Sequence, residues 1–212
     1  MTPARALAEG IRALGVEIDG AAAQSKLLAY LALLEKWNRV YNLTAIRDPE
    51  RMVSHHLLDS LAALPHLPDA ASLRLVDIGS GGGSPGIPLA IARPGWKVSL
   101  VERSAKKASF LREAQAQLPL PDVDVVEKRV EDYDPPSPFD AAISRAFAEL
   151  GAFAAAAQRI TRPGARWYAL KGSRPTAEIA ALPPEIRVLA VPRLSIPDVD
   201  AERHLVIMER AA

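Results

Sequence analysis

The sequence predicts a doubly wound α/β fold, a mostly parallel sheet preceded by an N-terminal helical extension. Three observations predict it. Short apolar runs alternate with helical patterns from about residue 70 onward. The first run ends in a glycine-rich turn, Gly79-Ser80-Gly81-Gly82-Gly83, that leads into a helical pattern. The residues before 70 carry a helix-period stripe and no strand pattern. Strands alternating with helices imply parallel pairing with helices on both faces. The expected division is 1–70 for the extension and 71–212 for the main domain.

In the extension, Leu27, Leu28, Leu31 and Leu34 recur at helical spacing, and Trp37 extends the stripe. A second helix should start after Asp48 as cap with Pro49 in its first turn, and stop at Pro65. Between them, 37–44 reads as a polar and aromatic linker. In the main domain, 73–78, 98–101, 123–126, 139–143 and 166–170 read as buried strands. Helices are expected over 85–92, 105–117 and 150–160. Two last strands, 186–191 and 204–208, are joined by a proline-containing loop, which suits an antiparallel pair at the sheet edge.

Composition narrows the function classes. The 212 residues suffice for one substantial core, and a net charge of +1 announces no nucleic-acid partner by bulk charge. With no cysteine, disulfide scaffolds, zinc–thiolate sites and thiolate nucleophiles are excluded, and a cytoplasmic location fits. No stretch approaches the roughly 20 apolar residues of a membrane helix, and Glu9, Glu17 and Asp19 break any signal-peptide layout. The four histidines, His55, His56, His66 and His204, have no metal-ligand spacing, so no metal is expected.

The glycine turn carries the chemistry. In an open α/β sheet, ligands sit beyond the carboxyl ends of the strands. Gly81-x-Gly83-x-x-Gly86 formally matches a dinucleotide fingerprint. However, Asp77 lies at the strand end, and a carboxylate opposes a pyrophosphate on a helix N-terminus. S-adenosylmethionine (AdoMet) has no phosphate and carries a sulfonium and an amino group, which favour an acid nearby. Glu102, ending the second strand about 20 residues on, suits a ribose diol of either ligand. A nicotinamide-dependent oxidoreductase therefore stays open at this point, as does a ligand-free turn.

Several blocks then become recognisable in order: Trp37-Asn38, Tyr41-Asn42-Leu43-Thr44, His56-Leu57-Leu58-Asp59-Ser60, Asp77-Ile78-Gly79-Ser80-Gly81, Pro85-Gly86-Ile87-Pro88-Leu89, Ile143-Ser144-Arg145-Ala146-Phe147, Ala169-Leu170-Lys171-Gly172 and Glu202-Arg203-His204-Leu205. Over almost the whole chain the sequence resembles the bacterial 16S rRNA guanine-N7 methyltransferase family. The resemblance implies a Rossmann-like class I methyltransferase fold and transfer of a methyl group from AdoMet to N7 of one guanine near the decoding region. It implies cofactor contacts at Gly79, Ser84, Glu102, Arg103, Ser104, Val130, Glu131 and Arg145, to which the loop argument adds Asp77 and Gly81. Gly82 and Ser84 stand where relatives often have proline and a larger apolar residue.

Guanine N7 has a free lone pair and no proton, so its methylation needs no general base. Proximity and orientation should supply most of the rate, on the order of 7–11 kcal/mol at best. Arg145 and Lys171, at the ends of the fourth and fifth strands, are the expected catalytic residues, holding the guanine or the cofactor carboxylate. The bland alternative is a salt bridge from Arg145 to Asp77 or Glu102, and a solvated strand-end lysine for Lys171. Lys106, Lys107 and Arg129 are the expected RNA phosphate contacts, with Arg103, Arg112 and Lys128 beside them; a solvated helix face explains the same run. N7 is hidden in the deep groove of duplex RNA, so the target guanine should be unpaired or turned out. Trp37, Tyr41 and Phe147 are candidates for stacking on it. The expected partner is 16S rRNA or a small-subunit assembly intermediate, with no membrane and a monomeric enzyme. A non-catalytic RNA-binding module on the same fold is the remaining rival.

Overall fold

A computed structural model describes every residue except Met1, Asp19, Ala146, Ala148 and Ala212, and only the backbone at positions 49 and 50. Asp19 and Ala146, used above, thus lie outside the described residues.

Seven strands form one sheet: β1 (Arg74–Ile78), β2 (Lys97–Val101), β3 (Val123–Val126), β4 (Phe139–Arg145), β5 (Thr161–Lys171), β6 (Ile186–Ala190) and β7 (His204–Arg210). Their order is β3-β2-β1-β4-β5-β7-β6. The first five run parallel, and β7 is antiparallel to both β5 and β6. The expected antiparallel pair is present, with β7 inserted inside the sheet and β6 at its edge. The order reverses at β1, between β2 and β4, which opens a crevice at the carboxyl end of β1.

Both sheet faces are covered. Leu75, Leu100 and Ile143 belong to one buried cluster, whereas Val76, Ile78, Val101 and Ala142 belong to another. Alternate residues of a strand point to opposite faces, so these near-continuous apolar runs satisfy helices on both sides. Helices α5 (Gly86–Ala92) and α6 (Ala105–Gln117) cover the first face, and α7 (Leu150–Ile160) the second. The short α8 (Thr176–Ala180) has no clear signal in the sequence.

The N-terminal part is built from α1 (Pro3–Leu14) and α2 (Gly20–Tyr41), then a helical stretch of three pieces. These are α3 (Pro49–Met52), a π-helical segment (Val53–Leu58) and α4 (Asp59–Leu61). Thr2 accepts the Arg5 amide at the start of α1, and Gly15 ends it at φ 63°. Gly10 lets α1 pack closely on Leu58, whose Cδ1 would stand 2.3 Å from a Cβ there. Leu27, Leu31 and Leu34 of α2 are buried in the same cluster as α5 and α6.

The expected linker over 37–44 is corrected in its first half: α2 continues through Tyr41. Tertiary packing extends it. Trp37 packs edge-to-face on Phe110 at 5.7 Å and tilted against Tyr41 at 5.1 Å between ring centroids. Asn42 then enters the left-handed region at φ 51° and ends the helix. The helix expected after Asp48 does begin at Pro49, but Val53–Leu58 widens to a π turn, with the Asp59 amide donating to Ser54 O. A single wide turn leaves no periodicity to read. The fifth strand begins five residues earlier than expected, at Thr161 rather than at 166, with an irregular register against Phe139–Ala141.

Candidate active site

The glycine turn leaves the carboxyl end of β1 and is pinned from below. Gly79 and Ser80 donate their amides to Val101 O at 2.9 and 3.1 Å. The Gly81 amide donates to Glu102 Oε2 at 2.9 Å, and the Ser104 amide to Glu102 Oε1 at 2.8 Å. One buried carboxylate thus ties the turn to the start of α6. Gly79 has φ 74°, a left-handed conformation that a side chain resists, and it is exposed where the turn opens.

Over this edge lies a cavity of about 360 Å³. Ile78, Val101, Val130 and Phe147 form its apolar wall, and Gly79 and Glu102 its polar floor. Arg103, Lys107, Lys128, Arg129 and Glu131 surround the mouth. The size is within the usual range for small-molecule sites. Apolar walls fit an adenine face, and Glu102 retains lone pairs for a ribose diol beyond its two amide partners. Among the described residues no group of three or more potential metal ligands occurs.

Of the sequence-predicted cofactor residues, the structure brings Gly79, Glu102, Arg103, Val130 and Glu131 to one cavity. Gly81 and Ser104 reach it indirectly, through Glu102. Asp77, Ser84 and Arg145 are outside the lining. Asp77 shares the sheet face of Leu75, beneath the turn, and its Oδ2 accepts the Gly86 amide at 2.9 Å. A Cβ at position 86 would lie 2.7 Å from that oxygen, so only glycine allows the approach. Burial pushes the Asp77 carboxyl up to about 7, against the opposing Gly86 hydrogen bond. Its Oδ1 has no hydrogen-bond partner among the described residues. Ser84 is also buried, turned onto Tyr30 of α2.

Arg145 occupies the end of β4 but pairs with neither Asp77 nor Glu102. Its Nη1 donates to His55 O at 2.7 Å and to Asp59 Oδ2 at 3.2 Å, and its Nη2 donates to His56 Nδ1 at 3.2 Å. Arg203 donates from Nε to the other oxygen of Asp59 at 3.1 Å. A guanidinium only donates, so His56 Nδ1 accepts and its Nε2–H faces Thr44 Oγ1, 3.1 Å away. Burial, reinforced by Arg145 and His55, drives the His56 imidazole down to about 3, which keeps it a neutral acceptor. Lys171 ends β5 and donates to both oxygens of Glu178, at 3.1 and 2.8 Å. It also lies 3.5 Å from Phe147 O. Phe147 therefore adjoins both the cavity, which it lines, and Lys171, which its carbonyl meets.

Sequence reasoning missed Asp59, Arg203, His56 and Glu178 as partners, although three of them lie in quoted blocks. The usable signal was the presence of charged residues inside otherwise apolar runs. Among the expected RNA contacts, Lys107 and Arg129 stand at the cavity mouth, with Arg129 3.5 Å from Glu131. Lys106 lies over the exposed Tyr41 ring at 5.5 Å. Trp37 is partly buried against Phe110, and Tyr41 is exposed at the end of α2.

A seven-stranded sheet with one reversed strand, a glycine turn at its switch point and a carboxylate after the second strand define a Rossmann-like nucleoside-binding fold of the kind class I methyltransferases use. Solved structures agree in fold: TrmN from Thermus thermophilus has a TM-score of 0.55 at 20% identity, over 75% of this chain and 53% of that one. The ribosomal protein L11 methylase from Lactobacillus delbrueckii subsp. bulgaricus has a TM-score of 0.57 at 14% identity, over 74% and 79%. Residues 23–206 match the GidB family, described as rRNA small subunit methyltransferase G. The ribosomal RNA small subunit methyltransferase G of Aromatoleum aromaticum is 49% identical over 211 residues, 98% of this chain and 99% of the relative. That of Azoarcus sp. (strain BH72) is 50% identical over 211 residues, 99% and 98%. The chain belongs to the rRNA small subunit methyltransferase G family. This membership decides for AdoMet and against a nicotinamide dinucleotide at the glycine turn.

Proposed function

We propose that the chain methylates its target by positioning alone, with the AdoMet cavity on one half of the sheet crest and a cationic guanine-holding half beside it. As a member of its family it is an AdoMet-dependent rRNA methyltransferase, and the acceptor we infer for it is N7 of a specific guanine of 16S rRNA near the decoding region. The observation that carries this proposal is the place of Phe147. It walls the cavity and touches Lys171, two residues after Arg145, so the two halves meet at one point.

AdoMet supplies a methyl group on a sulfonium, already a good leaving group. Gly79, Val130 and Phe147 exclude water around the nucleoside, and Glu102 accepts its ribose hydroxyls. No side chain takes a proton from N7, which has none. Arg145 and Lys171 orient the guanine through O6 or a flanking phosphate, leaving N7 free. Asp59 and Glu178 hold these two cations in place until substrate arrives. Lys106, Lys107 and Arg129 contact RNA phosphates around the mouth.

We further read residues 1–70 as the helical extension and 71–212 as the methyltransferase domain, in a cytoplasmic monomer working on 16S rRNA or a small-subunit assembly intermediate. No helix among the described residues is long and apolar enough to cross a membrane. Incubation with labelled AdoMet and unmethylated small-subunit RNA or particles, followed by chemical cleavage at 7-methylguanine, tests the function. Label at one guanine N7 is the expected result. Label on another atom, or none on any RNA form, overturns it.

A further inference from the structure

The glycine turn is held from two sides, and the second hold comes from the N-terminal extension. From beneath, the main domain pins Gly79, Ser80, Gly81 and Gly86 through Val101, Glu102 and Asp77. From above, α2 lays Tyr30 and Leu34, one helical turn apart, across positions 82–84. The Tyr30 hydroxyl donates to Gly82 O at 2.6 Å and lies 3.0 Å from Ser84 Oγ. A phenol has one proton to give. If Gly82 O receives it, Ser84 must donate to Tyr30, and the order Ser84 to Tyr30 to Gly82 is set. One side chain therefore straps both ends of a three-residue turn. Leu34 closes the gap: a Cβ at Gly82 would stand 3.3 Å from Leu34 Cδ1.

We propose that Tyr30 is a positioning residue for AdoMet, acting through the glycine turn, and that Ser84 serves this strap rather than the cofactor. Tyr30 is fully buried and does not line the cavity, so it cannot contact the ligand itself. What it fixes is the direction of the Gly82 carbonyl. The peptides from Gly79 to Gly81 lie upstream in the same turn, with Gly79 facing the cavity and Gly81 bound to Glu102. A turn with three residues at positive φ between positions 79 and 83 has few restraints of its own, chiefly Gly83 N–H to Ser80 O at 2.7 Å, so external hydrogen bonds help to set its shape. Burial pushes the Tyr30 phenol up to about 12, so its proton stays available across the neutral range. The extension thereby becomes part of the cofactor site without touching the cofactor.

The test is AdoMet binding to purified full-length protein by calorimetry, alongside thermal unfolding and steady-state kinetics. Tyr30→Phe should weaken AdoMet binding roughly five- to tenfold, the equivalent of one net hydrogen bond. KM for AdoMet should rise in step, with kcat at saturating AdoMet and KM for RNA nearly unchanged. Ser84→Ala should weaken binding by less, and the double variant should match Tyr30→Phe, because both act through one strap. Lower thermal stability with unchanged AdoMet affinity in Tyr30→Phe would overturn the proposal, since that is a structural role alone. Additive losses in the double variant would overturn the assignment of Ser84. If Tyr30→Phe does not fold, Ser84→Ala decides by itself: unchanged AdoMet affinity refutes the strap. Since binding is read without RNA, the result is independent of which base is methylated.

Discussion

The crest of the sheet has two halves that hold their polar groups by different means. Over β1, β2 and β3 the holds are carboxylates accepting backbone amides, Glu102 those at 81 and 104 and Asp77 that at 86, with Tyr30 of α2 bound to Gly82 O from above. Over β4, β5 and β7 cations are held by acidic side chains, Lys171 by Glu178 seven residues on and Arg145 by a residue of a distant segment. Asp59 joins Arg145, 86 residues away, and Arg203, 144 residues away. The first half is a preformed mould for a ligand of constant shape. The second is a set of cations held by carboxylates that a polyanion can displace, which suits a large substrate arriving from solution. The difference teaches that cofactor and acceptor recognition are separable here, and variants should separate them.

Arg145→Ala should sharpen the contrast most. Methyl transfer should fall by about a hundred- to a thousandfold, the usual cost of an oriented charged donor, with AdoMet affinity retained. Single-turnover kinetics beside calorimetry reads both, and a parallel loss of AdoMet binding would merge the two halves. Glu102→Ala comes next. Two amides lose a charged acceptor, so AdoMet binding should weaken by about two orders of magnitude with the fold intact. Unchanged affinity would place the ribose contact elsewhere. A smaller effect is expected at the mouth. Replacing Lys107 and Arg129 by alanine should raise KM for RNA and flatten its salt dependence by roughly 0.7 in log–log slope per lost phosphate contact. An unchanged slope would make these residues a solvated face.

The smallest expected effect is on pH dependence, and it has opposite sign in the two halves. Asp77 is raised to about 7 by burial, so the folded protein holds a proton that the unfolded chain has lost above about pH 4. Its contribution is therefore fully present below about pH 4 and is lost as pH rises through about 7. His56 is lowered to about 3, so the unfolded chain takes up a proton below about pH 6.5 that the folded protein refuses. Its contribution is present above about pH 6.5 and is lost as pH falls toward 3. Urea titrations between pH 5 and 8 should show Asp77→Asn less destabilised by rising pH than the parent, and His56→Gln less destabilised by falling pH. The same sign in both variants would break the comparison.

Legibility followed the same boundary. The central strands were visible as apolar runs, because a strand buried on both faces needs one, while the start of β5, exposed over 162–164, was not. Glu102 was visible because it follows the end of the second strand at the ligand-binding edge, whereas Gly79, Val130 and Glu131 were legible through the family resemblance. The reach of α2 through Tyr41 was not, since Trp37 stays helical through contact with Phe110, far away in the chain. The placement of Asp77 was equally hidden: its acid looked like a ligand for a cation, and the structure sets it against the Gly86 amide under the turn.

By itself the sequence determined the doubly wound sheet, the switch-point turn and the acid after the second strand, because local hydrophobic period and glycine placement act within a few residues. The tertiary structure alone decided the partners of Arg145, Lys171 and Tyr30. Those depend on which helix face meets which strand end, and a polar side chain among apolar neighbours does not announce its partner until the chain has closed around it.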